Sequence, residues 1–159
     1  MTLTSFNSDD FLSFLMVDVL NKKQRSYNMS MIKGRNTKPE LFLRKLLFNK
    51  GLRNYRINYK MYGKPDIVFT KYKLVIFTDG CFWHKCPKCF KQPETHKAFW
   101  ESKIDRNVER DIKVNNALKS KGWRVLRFWE HDIMKNPEKC LKKIVTSLKN
   151  QELKLGIGL

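Results

Sequence analysis

Nowhere in these 159 residues does an apolar run reach the roughly 18 to 20 residues that a membrane-spanning helix needs. The nearest approach, residues 11–20, is interrupted by Asp18. No Lys or Arg precedes Lys22, and Asp9 and Asp10 are present, so a signal peptide is not expected. These absences point away from membranes and secretion, and a cytoplasmic protein is expected. Internal repeats and low-complexity linkers are lacking too. With 42% hydrophobic residues, the length suits one compact α/β domain with a real core.

Acids are scarce. There are 15 Asp and Glu against 33 Lys and Arg, a net charge of +18. Residues 1–20 hold three acids and no base, so residues 21–159 carry +21. The positive charge therefore belongs to the folded body and not to a tail. A polyanionic partner follows, because each Lys or Arg set on a phosphate releases a condensed counterion. The alternative is a lysine-rich surface that is merely solvated. The expected organisation is an N-terminal extension over 1–20, one domain over 21–150 and a short tail over 151–159.

Thr37-Lys38-Pro39-Glu40 has the pattern of a capping box, with the Thr side chain accepting from an early helix N–H and the Glu reaching back. It predicts a helix over about 38–50, with Leu43, Leu46 and Leu47 inward and Gly51 as its stop. Residues 54–60 alternate and predict a strand. After the turn Gly63-Lys64-Pro65, residues 66–70 and 73–78 predict two buried strands joined near Tyr72. A long helix is expected over about 96–121, with Trp100, Ile104, Val108 and Ile112 as its buried stripe. A strand over 123–129 and a helix from Pro137 to about 150 complete the series. The order gives a mixed sheet with helices on both faces.

Three of the four cysteines fall within nine residues, as Cys81-x4-Cys86-Pro-Lys-Cys89. In a reducing compartment such clustering points to metal and not to disulfides. Tetrahedral zinc needs a fourth ligand, and His84, His96, His131 and Cys140 are candidates. His131, just past a strand, is favoured. Four protein ligands leave no position for water, so this zinc would be structural, fixing the excursion over 79–93.

Asp66 opens one strand and Thr78 closes the next, which places them near each other at the sheet rim. A carboxylate with neighbouring oxygens suits Mg²⁺. The plain alternative for Asp66 is a turn cap after Pro65. His84 could serve as a general base or as a zinc ligand, and spacing leaves both open. Phe82, Trp83 and Trp100 flank this basic loop and could wedge into a base step, although two of the three are expected in the core.

Taken with Phe99-Trp100, Asn107-Val108-Glu109-Arg110-Asp111 and Gly122-Trp123-Arg124-Val125-Leu126, the runs Gly63-Lys64-Pro65-Asp66 and Phe77-Thr78-Asp79-Gly80-Cys81-Phe82-Trp83-His84 resemble the very-short-patch repair (Vsr) DNA mismatch endonucleases. The likeness extends from about Asn21 to His131. It implies a restriction-endonuclease-like αβββαβ core, a mixed central sheet flanked by helices, and a structural zinc site. It implies Asp66 and Thr78 at a catalytic Mg²⁺, His84 in catalysis and Glu40 as a helix acid near the site. Zinc would be held by Cys81, Cys86, Cys89 and His131. Phe82, Trp83 and Trp100 would wedge beside the mismatch, Lys103 and Asn107 would face the mismatched pair, and Met29 would touch the opposite side of the DNA. Asp79 stands where some relatives carry His. The implied activity is a strand-specific nick 5′ of the T in T:G mismatches left by 5-methylcytosine deamination, by an enzyme monomeric on double-stranded DNA. The alternatives are an endonuclease of the same fold with another DNA target, and a non-catalytic zinc-stabilised DNA-binding module.

Overall fold

The computed structural model describes residues 21–31 and 34–156. The expected extension over 1–20 lies outside them. Helix α1 (Lys22–Met31) was not expected, because its polar sequence shows no apolar stripe. Its signal is a reciprocal cap: Gln24 N–H donates to Asn21 Oδ1 (2.9 Å), and Asn21 N–H donates to Gln24 Oε1 (2.8 Å).

Helix α2 (Lys38–Asn49) buries Glu40, Leu43 and Leu47, and Gly51 takes a φ of 74° just past its end. The expected capping box is altered. Thr37 makes no side-chain cap; its hydroxyl donates to Glu40 Oε1 (3.0 Å), and Glu40 Oε2 accepts from Asn36 N–H (2.9 Å). The carboxylate thus organises the entry to the helix, together with Arg44, whose Nη1 donates to Asn36 Oδ1 (2.7 Å).

Strands β1 (Ile67–Phe69) and β2 (Leu74–Asp79) form an antiparallel hairpin, and β3 (Arg124–Trp129) lies parallel to β2. The mixed sheet has three strands in the order β1-β2-β3. The strand expected over 54–60 is reduced to one bridge, Arg56 to Val68. Asn58 adopts a φ of 53°, in the left-handed region, where a strand cannot continue.

Alternation along the strands sorts the core into two layers. Ile67, Phe69, Leu74, Ile76, Leu126 and Phe128 pack toward α2, α4 (Glu130–Lys135) and α5 (Pro137–Leu155). Val68, Val75 and Phe77 face α3 (Lys97–Ser120) through Val114 and Leu118. Fully burying one such side chain is worth about 1.5–3 kcal/mol, so the layers hold the strand ends in place. Helix α5 runs on to Leu155 rather than stopping near 150, and Gln151 Nε2 donates to Tyr72 O (2.9 Å).

The inward face of α3 differs from the expected stripe. Ile104 is buried, but Ile112 is 54% exposed. Each i,i+4 step overshoots a full turn by about 40°, so the series 104, 108, 112 rotates out to solvent. Positions 104, 111, 114 and 118 stay inward, and Asp111 is among them. Against this helix sits Gly63, with a φ of 82°; a Cβ there would meet Val114 Cγ1 at 2.3 Å. Gly63→Ala is expected to destabilise the fold by about 2–4 kcal/mol, from backbone strain plus overpacking. Urea unfolding monitored by circular dichroism checks this, and an unchanged midpoint would contradict the close approach.

Candidate active site

The hairpin brings Asp66 and Thr78 side by side. Asp66 Oδ2 accepts from Thr78 N–H (2.7 Å) and from Thr78 Oγ1 (2.9 Å), and Oδ1 accepts neither. Burial pushes the Asp66 carboxyl above its ordinary range; the Thr78 bonds oppose this, and the charges of Glu40 and Asp79 add to it. A carboxylate whose charge is so disfavoured gains from a nearby cation, and hard oxygens suit Mg²⁺. Glu40 is itself held by Arg44 Nη2 (2.9 Å).

Asp66, Thr78, Glu40 and His84 open on one cleft of about 890 Å³, together with Asn107, Arg110, Asp111 and Arg127. His84 Nδ1 is hydrogen-bonded to Asp111 Oδ2, which leaves Nε2 for a reacting partner. Burial works to raise the Asp111 carboxyl, but the His84 bond and the Arg127 charge outweigh it and hold it below the usual range. Asp111 was given no role from sequence. Its signal was its place one turn beyond Asn107 on the inward face of α3.

The parallel register pairs Asp79 with Trp129, so His131 arrives beside Cys81. The ligand atoms of Cys81, Cys86, Cys89 and His131 lie within 4.8 Å of one another. His131 Nδ1 is 3.1 Å from Cys81 Sγ, 3.8 Å from Cys86 Sγ and 3.3 Å from Cys89 Sγ. Edges of a tetrahedron around zinc are about 3.5–3.8 Å, so this donor set could hold one metal ion. His131 Nε2 comes within 3.2 Å of Asp132 Oδ1, but outside hydrogen-bond geometry. Burial, with Cys89 beside it, pushes the Cys81 thiol well up, a charge cost that a bound cation would offset. Cys81 N–H donates to Glu130 Oε1 (2.8 Å), tying the loop to α4. His84 and Cys140 lie elsewhere: His84 is on Asp111, and Cys140 is in the core. His96 precedes α3 with a φ of 53° and is outside the four-residue cluster.

The expectation that two of the three aromatics belong to the core is corrected. Phe82, Trp83 and Trp100 are all half-exposed and join neither core layer. They pack on one another edge to face, with Phe82 5.1 Å from Trp83 and 5.3 Å from Trp100. Phe99 extends the cluster and is 56% exposed. Lys103 Nζ lies 6.0 Å from the Trp83 ring, and Asn107 Nδ2 donates to Trp83 O (3.0 Å). An aromatic platform therefore stands beside the cleft, with a cation over it. Met29 falls in α1, but its side chain lies outside the described residues.

A family model described as DNA mismatch endonuclease Vsr matches residues 17–91. A type II nicking enzyme from Neisseria meningitidis serogroup C is 39% identical over 140 residues, covering 86% of this chain and 93% of the relative. A type II nicking enzyme from Lentzea aerocolonigenes is 49% identical over 114 residues, 68% of each chain. The DNA mismatch endonuclease Vsr of Escherichia coli (strain K12) is 45% identical over 117 residues, 72% of this chain and 74% of that protein. Among the described residues, no helix is long and apolar enough to cross a membrane.

Proposed function

Since the chain belongs to the Vsr family of DNA mismatch endonucleases and is a DNA endonuclease, we propose that it nicks one strand of duplex DNA 5′ of the T in T:G mismatches, as a monomer with the family's restriction-endonuclease-like fold. The observation that carries this reading is the shared cleft, where a half-buried carboxylate, Asp66, opens on the same space as an imidazole braced by a second carboxylate. Asp66 and Thr78 would hold Mg²⁺, with Glu40 deepening the negative field around Asp66. The ion would polarise the scissile phosphate and stabilise the leaving oxygen. His84 Nε2 takes the proton of the attacking water while Asp111 holds the ring, giving a 5′-phosphate and a 3′-hydroxyl. Cys81, Cys86, Cys89 and His131 would hold a structural zinc that carries the loop bearing His84.

Selectivity rests on Phe82, Trp83 and Trp100 acting as a wedge, with Lys103 and Asn107 toward the mismatched pair and Met29 toward the far side of the DNA. A wobble pair costs less to unstack than a matched one, by up to a few kcal/mol. Trp83→Ala is expected to lower nicking of T:G duplexes about 10- to 100-fold, the value of one base–aromatic stack of about 1–3 kcal/mol. Bulk binding should change much less, since phosphate contacts supply most of it. Nicking and gel-shift assays on one duplex separate the two effects.

A second target is favoured by one observation: several relatives are named type II nicking enzymes and not mismatch endonucleases. The deciding experiment compares T:G, other mismatched and matched duplexes in several contexts, with and without Mg²⁺. Equal nicking of matched DNA would end the mismatch reading, and nicking in EDTA would end the magnesium reading.

A further inference from the structure

Resting on the reading of His84 as the proton acceptor, we propose that Arg127 is a positioning residue whose guanidinium decides which of two acids, buried Asp79 or half-buried Asp111, orients His84. Two carboxylates compete for the same nitrogen. Asp111 Oδ2 holds His84 Nδ1, and Asp79 Oδ1 stands 3.9 Å from it. Arg127 occupies both Asp79 oxygens, Nε to Oδ2 at 2.7 Å and Nη2 to Oδ1 at 2.8 Å. Its Nη2 also lies 2.9 Å from Asp111 Oδ1, leaving Oδ2 for the imidazole.

The fork is itself immobilised. Nη1 donates to Asn115 Oδ1 (3.2 Å), and the guanidinium lies 4.6 Å from the Phe77 ring centre. The strand register explains this stack, because Arg127 pairs with Phe77 across β2 and β3. Only a planar group with donors on several edges can hold both acids at once. Asp79 stands directly after Thr78, and Asp111 lies inward on α3, so Arg127 also couples the strand end to the helix. Neither composition nor spacing gave Asp79 a role.

Without the guanidinium, Asp79 is a buried carboxylate lacking its donors, and His84 Nδ1 is close by. Capture of that nitrogen by Asp79 turns the ring and moves Nε2 away from the attacking water. A displacement of about 1 Å at a reacting group costs up to about 100-fold in rate.

The test is steady-state and single-turnover nicking by Arg127→Gln, at a temperature where circular dichroism shows the protein folded. The expected result is kcat lowered about 30- to 100-fold, with KM and DNA affinity within about twofold of the parent. Adding Asp79→Asn, which removes the competing charge, is expected to recover about tenfold or more of the loss. A folded Arg127→Gln protein with parent kcat overturns the proposal, as does a double variant no faster than the single one. A purely structural role predicts a loss that vanishes once the protein is folded. If Arg127→Gln does not fold, Arg127→Lys carries the test, since it keeps the charge without the fork. A folded Lys variant is expected to lose about tenfold in kcat, and a parent-like kcat overturns the proposal. His84→Ala, run alongside, separates the two readings. Nicking that survives in it sinks the assignment of His84, whereas nicking lost there but intact in Arg127→Gln sinks only the role of Arg127.

Discussion

Asp66→Ala is expected to abolish nicking, by about three orders of magnitude or more, while DNA binding stays nearly unchanged. That is the scale on which losing electrostatic stabilisation of a reacting oxygen is felt. Binding is spared because all 33 Lys and Arg are untouched. Alanine also strips the Thr78 N–H and hydroxyl of their shared acceptor. Asp66→Asn is the cleaner variant, since an amide oxygen still accepts both bonds. It should be as inactive as the alanine form.

The same substitution makes a stability prediction of definite sign. Burial raises the Asp66 carboxyl above its ordinary value of 3.8 in the folded chain. Between that value and the raised folded one, the folded state therefore holds a proton there that the unfolded state has lost. Stability attached to this group is present below about pH 3.8 and is lost as pH rises through the raised folded value. At neutral pH without divalent ions, Asp66→Asn is expected to melt no lower than the parent. Mg²⁺ should raise the melting temperature of the parent and not of the variant. Equal Mg²⁺ shifts in both proteins would place the ion elsewhere.

What could be read before the structure was what local chemistry dictates. Gly51 and Gly63 mark backbone positions of positive φ, and Leu43 and Leu47 lie inward as the helical period requires. The strands over 67–69 and 74–79 are apolar because both faces are covered, which makes them conspicuous. Residues 54–60 alternate equally well, yet Asn58 leaves the extended region, and no side-chain pattern announces that. On α3 the apolar residues misled, because part of the inward face is polar. Asn107 and Asp111 point to the loop and to His84. A periodicity built on apolar residues misses a helix whose buried face serves a site. His131 was favoured over His84, His96 and Cys140 from its place just past a strand, and the parallel register of β2 and β3 is the long-range fact that brings it beside Cys81.

Removing the ion proposed for Cys81, Cys86, Cys89 and His131 is expected to lower the melting temperature by about 20 °C or more. Apparent binding energies of structural zinc, about 10–16 kcal/mol, rival the whole stability of a domain, about 5–15 kcal/mol. Each kcal/mol moves the midpoint of a domain this size by about 2–4 °C or slightly more. The loss should begin in the loop. Residues 80–96 contain no helix or strand, so besides the ligands only side-chain links, such as Glu130 to Cys81 N–H and Asn107 to Trp83 O, tie them to the body. Phe82, Trp83 and His84 lie within that stretch, and nicking should disappear with it even if Mg²⁺ is supplied. The two core layers contain none of these three residues, so helical content is expected to persist part of the way. Cys86→Ser should reproduce the effect without a chelator, because Cys86 is buried and a hydroxyl is a poor ligand for a soft site. Binding must displace thiol protons, and the Cys81 thiol is pushed up, so metal affinity should weaken as pH falls. Metal analysis followed by calorimetry on metal-free and reconstituted protein checks this. An identical melting temperature in a verified metal-free sample would mean that the cluster holds the loop without an ion.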